Sequence, residues 1–151
     1  NMKGYWNKPD ATKEAIQDQW FFSGDAGYFD EEGYLYIHDR VKDMIVSGGE
    51  NIYPAEVENA LMSHPEIIDA AVIGIPDEKW GESVKGFVVL KEGAELNEID
   101  TISYVKSQIA GYKCPKSINF IDMLPRNPSG KVLRRELRAP FWEGVERNVG
   151  G

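Results

Sequence analysis

Two closely spaced apolar runs constrain the fold of this chain more strongly than any other feature of its sequence. Residues 67–75 and 82–90 are rich in β-branched side chains, and a turn at Pro76 and Asp77 separates them. Their apolar character is nearly continuous rather than alternating, which is typical of strands buried on both faces. The sequence therefore predicts a sheet in which these two runs are central strands.

Shorter elements are predicted on both sides of this pair. Further strands are expected at residues 44–46 and 117–121, and helices at residues 9–17, 54–63, 97–110 and 132–143. Pro54 suits a first helical turn, Asn97 can cap the third helix, and Pro140 is expected to interrupt the last. The third helix is expected to bury a stripe formed by Ile99, Ile102, Val105 and Ile109. The predicted fold class is α+β, with a small mixed sheet of about three strands and flanking helices.

A β-hairpin is predicted ahead of this domain. Aromatic residues favour strands at 27–29 and 34–37, and Gly33 can take the positive φ that the turn between them needs. Residues 1–38 contain too few core positions for a domain of their own. The charged segment 39–43 is a plausible junction between two units.

Composition and charge exclude several classes of protein. The single cysteine, Cys114, excludes an internal disulfide framework and fits a reducing cytoplasm, and no apolar run is long enough to span a bilayer. The net charge of −8 argues against nonspecific nucleic-acid binding. Residues 1–100 contain 8 Lys and Arg against 21 Asp and Glu, whereas residues 101–151 contain 9 against 4. This basic end fits either a phosphorylated cofactor or an ordinary solvated surface.

Three segments resemble the conserved segments of the adenylate-forming (AMP-binding) enzymes. They are residues 22–25 (FSGD), 39–58 and 125–132 (PRNPSGKV), and they follow the family's order and spacing over nearly the whole chain. The superfamily includes acyl–coenzyme A synthetases, peptide-synthetase adenylation domains and beetle luciferases. The resemblance implies that ATP and a carboxylic acid give an acyl-adenylate and pyrophosphate. Coenzyme A then attacks the adenylate and releases AMP and the thioester.

The resemblance also implies a division of the chain. Residues 1–41 would be the tail of the large amino-terminal adenylation domain, with the hairpin and the junction, and residues 42–151 the mobile carboxyl-terminal domain, which rotates between the two steps. The family's phosphate loop and acyl pocket belong to the large domain, and the loop is not found in this sequence. The chain is therefore expected to be a fragment that is inactive without its amino-terminal domain. Its acid substrate cannot be read from these residues.

Four residues match family positions that serve adenylation. Asp25 would accept hydrogen bonds from the ribose hydroxyls, Arg40 would reach the same ribose, and Lys42 falls at the hinge. Lys131 would contact the carboxylate and the α-phosphate, because a mobile ammonium can serve both anions as charge shifts. In isolation the same residues also fit a turn aspartate, a surface ion pair and a loop lysine.

A second set of residues matches positions that hold coenzyme A in the family: Gly48, Gly49, Trp80, Tyr112, Lys113 and Lys116. The two glycines would line the pantetheine tunnel, and Gly49 is expected to permit close backbone approach. The aromatic rings can stack on the cofactor's adenine, and one of the two lysines can face its phosphates. The competing readings are a simple Gly-Gly turn and a tryptophan that only covers core.

The cofactors implied by the resemblance are ATP, Mg²⁺ and coenzyme A, with Mg²⁺ held mainly by ATP and the large domain. No metal site is expected within the chain, since His38 and His64 are far apart in sequence. No nucleic-acid partner is expected. Two alternatives stay open: an adenylation domain that loads a carrier protein, and a noncatalytic module that binds coenzyme A or a nucleotide.

Overall fold

The structure, a computed structural model, describes residues 2–145 and contains two units that divide between Val41 and Lys42. The first unit contains helix α1 (Pro9–Ala15) and two antiparallel strand pairs, β1 (Ile16–Gln17) with β2 (Trp20–Phe21) and β3 (Asp25–Phe29) with β4 (Leu35–Arg40). The pair β3–β4 is the predicted hairpin, and Gly33 in its turn has a φ of +85°. The hairpin prediction is therefore confirmed.

The first unit has no core of its own. None of the side chains of residues 2–41 is buried, and its large apolar residues are mostly open to solvent. Trp6 is 96% exposed and Phe29 70% exposed. Monomeric proteins rarely leave so many aromatic rings uncovered on one segment, so this unit presents a surface that is suited to a partner.

The second unit contains a five-stranded mixed sheet. Its strands are β5 (Ile45–Ser47), β6 (Glu50–Ile52), β7 (Ile67–Asp77), β8 (Gly81–Leu90) and β9 (Ser117–Phe120). The order is β6-β5-β8-β7, and β9 pairs in parallel with β8 while the other pairings are antiparallel. The α+β class is confirmed. The sheet is larger than the three strands expected, because the short strand predicted at residues 44–46 joins it as β5 and because β6 carried no recognisable strand pattern.

Three helices flank this sheet: α2 (Pro54–Met62), α3 (Glu98–Gln108) and α4 (Arg134–Trp142). Helices α2 and α3 cover one face, where the core includes Val57, Leu61, Val72, Val88 and Val105. Helix α4 covers the other face, where the core includes Ala71, Ile73, Phe87, Val89 and Leu137. Within residues 2–145, no helix is long and apolar enough to cross a membrane.

Strand β8 is central, as predicted, but β7 lies at the edge of the sheet because it pairs with β8 alone. Side chains from both helical layers cover its outer edge. The Val72 amide donates to Glu58 Oε1 at 2.8 Å, and Trp142 Nε1 donates to the Gly74 carbonyl at 3.0 Å. This side-chain cover explains why an edge strand has the apolar composition of a buried one.

The apolar stripe predicted for α3 is partly wrong. Ile99 is 78% exposed, whereas Thr101 and Val105 are fully buried. Thr101 can be buried because its hydroxyl donates to the Asn97 carbonyl at 2.7 Å, which satisfies its polar group inside the helix. The predicted cap is confirmed, since the Asn97 side chain accepts from the Asp100 amide at 2.9 Å.

Pro140 does not interrupt α4, contrary to the prediction. The helix continues to Trp142, although proline removes one backbone donor. The last turn is held by its side chains: the Phe141 ring packs against Phe87 at 6.5 Å between centroids, and Trp142 bonds to β7. Tertiary contacts therefore override the local cost of proline.

Strand β8 buries two charged residues. Glu82 is 3% exposed, and its Oε2 accepts from the Val46 amide at 3.0 Å. Lys85 is 7% exposed, and its ammonium donates to Ser117 Oγ at 3.1 Å and to Asn119 Oδ1 at 3.0 Å. Burial lowers the pKa of Lys85, because the charged form loses hydration; the charge of Glu98 opposes this effect.

The single cysteine lies in the core on the α2–α3 face of the sheet. Cys114 is 2% exposed, and its thiol lies 3.5 Å from the Ala110 carbonyl. Burial raises the pKa of the Cys114 thiol, and the nearby charges of Lys106 and Lys116 only partly oppose this shift. The residue is therefore an inert core thiol in the folded chain.

Candidate functional site

A tight hairpin turn presents Lys131, the predicted adenylation lysine, to solvent. The Asn127 amide donates to the Lys131 carbonyl at 2.9 Å, and Asn127 Oδ1 accepts from the amides of Ser129 at 3.0 Å and Lys131 at 2.8 Å. Gly130 has a φ of +83°, which glycine adopts without strain. The backbone of Lys131 is thus fixed on both sides, while its long side chain is exposed.

Arg126 ties this hairpin to the sheet. Its Nη1 donates to the Gly130 carbonyl, and its Nη2 forms an ion pair with Asp69 Oδ2 of β7 at 2.6 Å. The Arg126 and Asp69 side chains are 42% and 30% exposed. One guanidinium therefore joins the peptide before Lys131 to an element of the core domain.

Asp25 and Arg40 are brought together by the hairpin of the first unit. They are directly opposite each other in the β3–β4 register, and Arg40 Nε lies 2.7 Å from Asp25 Oδ1. The local ion pair considered for Arg40 within residues 39–43 is replaced by this cross-strand pair. Because the contact engages one carboxylate oxygen and Nε, the second oxygen and the terminal guanidinium nitrogens can face a ligand.

Lys42 lies in a short 3₁₀ turn, Val41–Asp43, at the division between the two units. The residue after it, Asp43, is buried and accepts from Arg138 Nη1 of α4 at 3.0 Å. Arg134 of α4 lies 3.8 Å from the same carboxylate and binds both oxygens of Glu58 in α2 at 2.8 Å. The chain is therefore firmly held one residue after the predicted hinge position.

Gly48 and Trp80 lie in contact where β5 meets the start of β8. The Gly48 amide donates to the Trp80 carbonyl at 2.9 Å, and a Cβ placed on Gly48 would lie 2.7 Å from Cε3 of the Trp80 ring. Trp80 is 45% exposed, so one ring face covers the glycine while part of the ring is open to solvent. Lys79 Nζ lies 4.7 Å from the ring centroid.

No atom of the described chain lies within 4 Å of a Cβ placed on Gly49, so the close backbone approach expected there, which concerns the pantetheine arm, stays a prediction. Its φ of +86°, rather than crowding, favours glycine at this position. A close approach by a side chain of the protein itself occurs at Gly48, where the Trp80 ring lies 2.7 Å from a placed Cβ.

The two predicted phosphate-facing lysines differ in their surroundings. The Lys113 ammonium contacts both carboxylate oxygens of Glu56 in α2, at 2.6 and 2.7 Å. The hydrogen bond to Glu56 is the main cause of the raised pKa of Lys113. Lys116 is exposed, as is the Tyr112 ring at 49%. The geometry therefore favours Lys116 over Lys113 as a cation that a ligand can reach.

The candidate residues of the second unit fall into separate groups. The Lys131 hairpin belongs to the segment that packs with α4 on one face of the sheet, whereas Tyr112 and Lys113 follow α3 on the other face. Gly48 and Trp80 lie at the β5–β8 junction. Among residues 2–145, no group of three or more His, Cys, Asp and Glu side chains could hold a metal ion.

Sequence reasoning missed two ion pairs that shape these groups. Asp69 with Arg126 and Glu56 with Lys113 each join residues that are 57 positions apart. Local patterns carry no information on such contacts. The one available signal was Asp69 itself, a carboxylate within the otherwise apolar run of residues 67–75.

Comparison with known proteins places this arrangement in a family. Residues 56–131 match the family described as the AMP-binding enzyme C-terminal domain. The chain is 51% identical to the fatty acid–acyl-carrier-protein ligase ScoC of Streptomyces coeruleorubidus, over 98% of the chain and 28% of that protein. It is 49% identical to the long-chain-fatty-acid–CoA ligase FadD13 of Mycobacterium tuberculosis, over 97% of the chain and 29% of that protein.

A solved structure agrees with these relatives. The o-succinylbenzoate CoA synthetase MenE from Bacillus subtilis, in complex with the acyl-adenylate intermediate OSB-AMP, matches with a TM-score of 0.84 and 45% identity, over 90% of this chain and 28% of that one. The chain thus spans between a quarter and a third of the length of the proteins it matches. These findings confirm the resemblance noted in the sequence. The chain belongs to the family of AMP-binding enzyme C-terminal domains.

Proposed function

We propose that this chain is the carboxyl-terminal part of an ATP-dependent acyl–coenzyme A ligase. The complete enzyme would convert a carboxylic acid, ATP and coenzyme A to the acyl thioester, AMP and pyrophosphate through an acyl-adenylate. The observation that carries the proposal is the presentation of Lys131: an exposed ammonium whose backbone is fixed at both its N–H and its C=O. A cation held in this way can stabilise charge that develops on a carboxylate and a phosphate.

The first unit supports the nucleotide part of this proposal. In Asp25 and Arg40, an anion and a cation lie side by side, both partly exposed. A carboxylate is a good acceptor for two neighbouring ribose hydroxyls, and the guanidinium orients that carboxylate while offering further donors. We assign these residues to the ribose and Lys42 to the hinge. Mg²⁺ would be held mainly by ATP and the large domain.

The groups around Gly48 and Tyr112 support a site for coenzyme A. The half-exposed Trp80 ring packs against Gly48, and its exposed part offers a surface for stacking once Lys79, whose Nζ lies 4.7 Å from the ring centroid, moves aside. Gly48 and Gly49 would line the path of the pantetheine arm. Tyr112 supplies a second ring, Lys116 a reachable cation, and Lys113 shapes the site through Glu56.

The exposed aromatic surface of the first unit supports a larger amino-terminal domain as its partner. Trp20 and Phe22 are 75% and 59% exposed, and Ile37 on β4 is 62% exposed. Burying such a surface against a partner gains a free energy of about 25 cal/mol for each Å² of apolar area removed from water. The acyl pocket would lie in that domain, so the acid substrate follows from residues outside this chain.

The second candidate is an enzyme that loads a carrier protein. One specific observation favours it: the relative ScoC is named a ligase for an acyl-carrier protein. FadD13, at 49% identity, is named a CoA ligase, so overall identity does not separate the two acceptors. Trp80 offers a way to test the two acceptors, because an adenine ring to stack on is present in free coenzyme A and absent from a carrier-bound pantetheine.

The test uses the complete ligase proposed to contain this chain, as the parent protein and as Lys131→Ala. Pyrophosphate release is followed with ATP, Mg²⁺ and a panel of fatty, aromatic and dicarboxylic acids, and thioester formation is followed separately from synthetic acyl-adenylate. Lys131→Ala should lower adenylation by about 10²–10³-fold and spare thioester formation. Lys91→Ala, an exposed lysine after β8, is the matched control and should change neither step.

Two outcomes would overturn the proposal. Equal adenylation by the parent protein and Lys131→Ala would show that this lysine is not the adenylation residue. Pyrophosphate release with no acid in the panel would remove the ligase assignment. To choose between acceptors, Trp80→Ala is assayed with coenzyme A and with a phosphopantetheinylated carrier protein. A loss confined to coenzyme A supports the CoA ligase, whereas activity with the carrier alone supports the second candidate.

A further inference from the structure

We infer that Arg126 and Asp69 form a clamp that positions Lys131 for the adenylation step. The inference rests on the proposed function, because it concerns the geometry of the lysine assigned to that step. In the clamp, the Arg126 guanidinium binds the Gly130 carbonyl and the Asp69 carboxylate at the same time. Both are positioning residues, since neither has to touch the substrate.

The clamp acts on the peptide group that leads into Lys131. The Gly130 carbonyl and the Lys131 N–H belong to one planar peptide unit. Arg126 holds the carbonyl end of that plane, and Asn127 Oδ1 holds the N–H end at 2.8 Å. The direction in which the Lys131 side chain leaves the hairpin is therefore set from both sides.

The other end of the clamp is anchored in the sheet. Asp69 pairs with Val89 beside the register shift at the start of β7. Its Oδ1 accepts from the Ala70 amide at 3.1 Å, while its Oδ2 faces Arg126 at 2.6 Å. Both carboxylate oxygens are thus engaged, which restricts the rotation of Asp69. The hairpin is connected to the core through a fixed carboxylate rather than through a flexible side chain.

The chemistry of arginine explains why this residue type occupies the position. A guanidinium is planar and carries several donors in a fixed fork, so it can hold two acceptors in a defined relation. A lysine at position 126 would keep the charge but would act as a single flexible point. The clamp therefore depends on the shape of the guanidinium as well as its charge.

Orientation, rather than stability, is the main effect expected of this pair. The two side chains are 42% and 30% exposed, and ion pairs at such positions stabilise folded proteins little. Misplacement of a catalytic group by 1 Å can lower a rate by about 10²-fold. Loss of the clamp should therefore lower the rate of adenylation while leaving the protein folded.

The experiment compares Arg126→Gln, Arg126→Lys, Asp69→Asn and the double variant Arg126→Gln/Asp69→Asn in the complete ligase. Each single variant should lower kcat for adenylation by about 10–100-fold, with KM for ATP little changed. Thioester formation from synthetic acyl-adenylate should be unchanged. The double variant should be no slower than the slower single variant, because both changes break one clamp. Arg135→Gln, an exposed arginine of α4, is the control and should behave as the parent protein.

The possible results separate a failure of the clamp from a failure of the proposed function. If Lys131→Ala abolishes adenylation and the clamp variants retain full activity, the clamp inference is wrong and the proposed function stands. If the clamp variants lose both half-reactions together with a lower Tm, their role is structural and the inference is again wrong. Additive losses in the double variant would also overturn it. If Lys131→Ala adenylates normally, the proposed function itself has failed.

Discussion

Replacing Gly48 with alanine should destabilise the second unit by about 2–3 kcal/mol. Two costs contribute. Gly48 has a φ of +62°, and an L-residue in the left-handed region costs roughly 1–2 kcal/mol. The new Cβ would also lie 2.7 Å from Cε3 of Trp80, closer than carbon atoms approach, so the ring must move. Since Trp80 is 45% exposed and can shift toward solvent, this second cost should be at the low end of overpacking, about 1 kcal/mol.

Gly49 provides a matched control within the same turn. Its φ of +86° gives Gly49→Ala a similar backbone cost, but nothing lies within 4 Å of the new Cβ. The difference between the two variants therefore isolates the displacement of the Trp80 ring. For a unit of about 110 residues, a difference of 1 kcal/mol corresponds to roughly 4 °C in Tm.

Thermal unfolding followed by circular dichroism measures both variants, alone and combined with Trp80→Ala. Gly48→Ala should unfold about 4 °C below Gly49→Ala. In the Trp80→Ala background, the two glycine substitutions should become equivalent. Equal Tm values in the original background, or a difference that persists without the Trp80 ring, would refute the argument.

Three further predictions concern buried or paired charges. Asp43→Ala should lower the Tm of the second unit by roughly 12 °C in thermal denaturation, because it removes the buried carboxylate that Arg138 Nη1 contacts at 3.0 Å, at a cost of about 3 kcal/mol. Glu56→Gln should lower the unfolding free energy in urea at neutral pH. This deficit should shrink as the pH rises beyond 10.5, because the parent protein loses its own gain as Lys113 titrates through its raised pKa. Because burial lowers the pKa of Lys85, the unfolding free energy of the parent protein should rise as the pH increases toward 10.5. Lys85→Met should abolish that rise. An unchanged dependence of the unfolding free energy on pH would show that Lys85 does not cause it.

Most of the secondary structure of the second unit could be predicted because its signals are local. The apolar runs predicted β7 and β8, Pro54 marked the start of α2, and Asn97 marked the start of α3. The errors arose where distant contacts outweigh local preference. Pro140 remains helical because the rings that follow it pack against the sheet.

Burial was harder to predict than secondary structure, because it depends on partners that the sequence does not reveal. Thr101 is buried since its hydroxyl is satisfied within α3, while the apolar Ile99 is exposed. Lys85 is buried because β9 brings two acceptors to its ammonium. For Thr101 and Lys85 the deciding factor is a hydrogen bond and not the hydropathy of the residue.

The same distinction between local signals and distant contacts applies to the candidate site. The segment of Lys131 could be singled out because its resemblance to a family segment is local in the sequence, while the role of the lysine stays a prediction. The partners that hold it could not, since Asp69 lies on a strand far away in the sequence. The close contact between Gly48 and Trp80 also depends on how β5 and β8 pair.

The buried thiol gives the chain an internal reporter of its own opening events. Cys114 is the single cysteine, so an alkylating reagent has one target in the entire sequence. Alkylation requires the thiolate, and burial both shields the sulfur and raises the pKa of its thiol, so modification has to wait until the core around it opens. When reclosing is faster than labelling, the ratio of the labelling rate of a short peptide containing Cys114 to that of the folded chain therefore gives the free energy of that opening. Mass spectrometry of the labelled chain would then rank the stability of any variant of the second unit under the conditions of an activity assay.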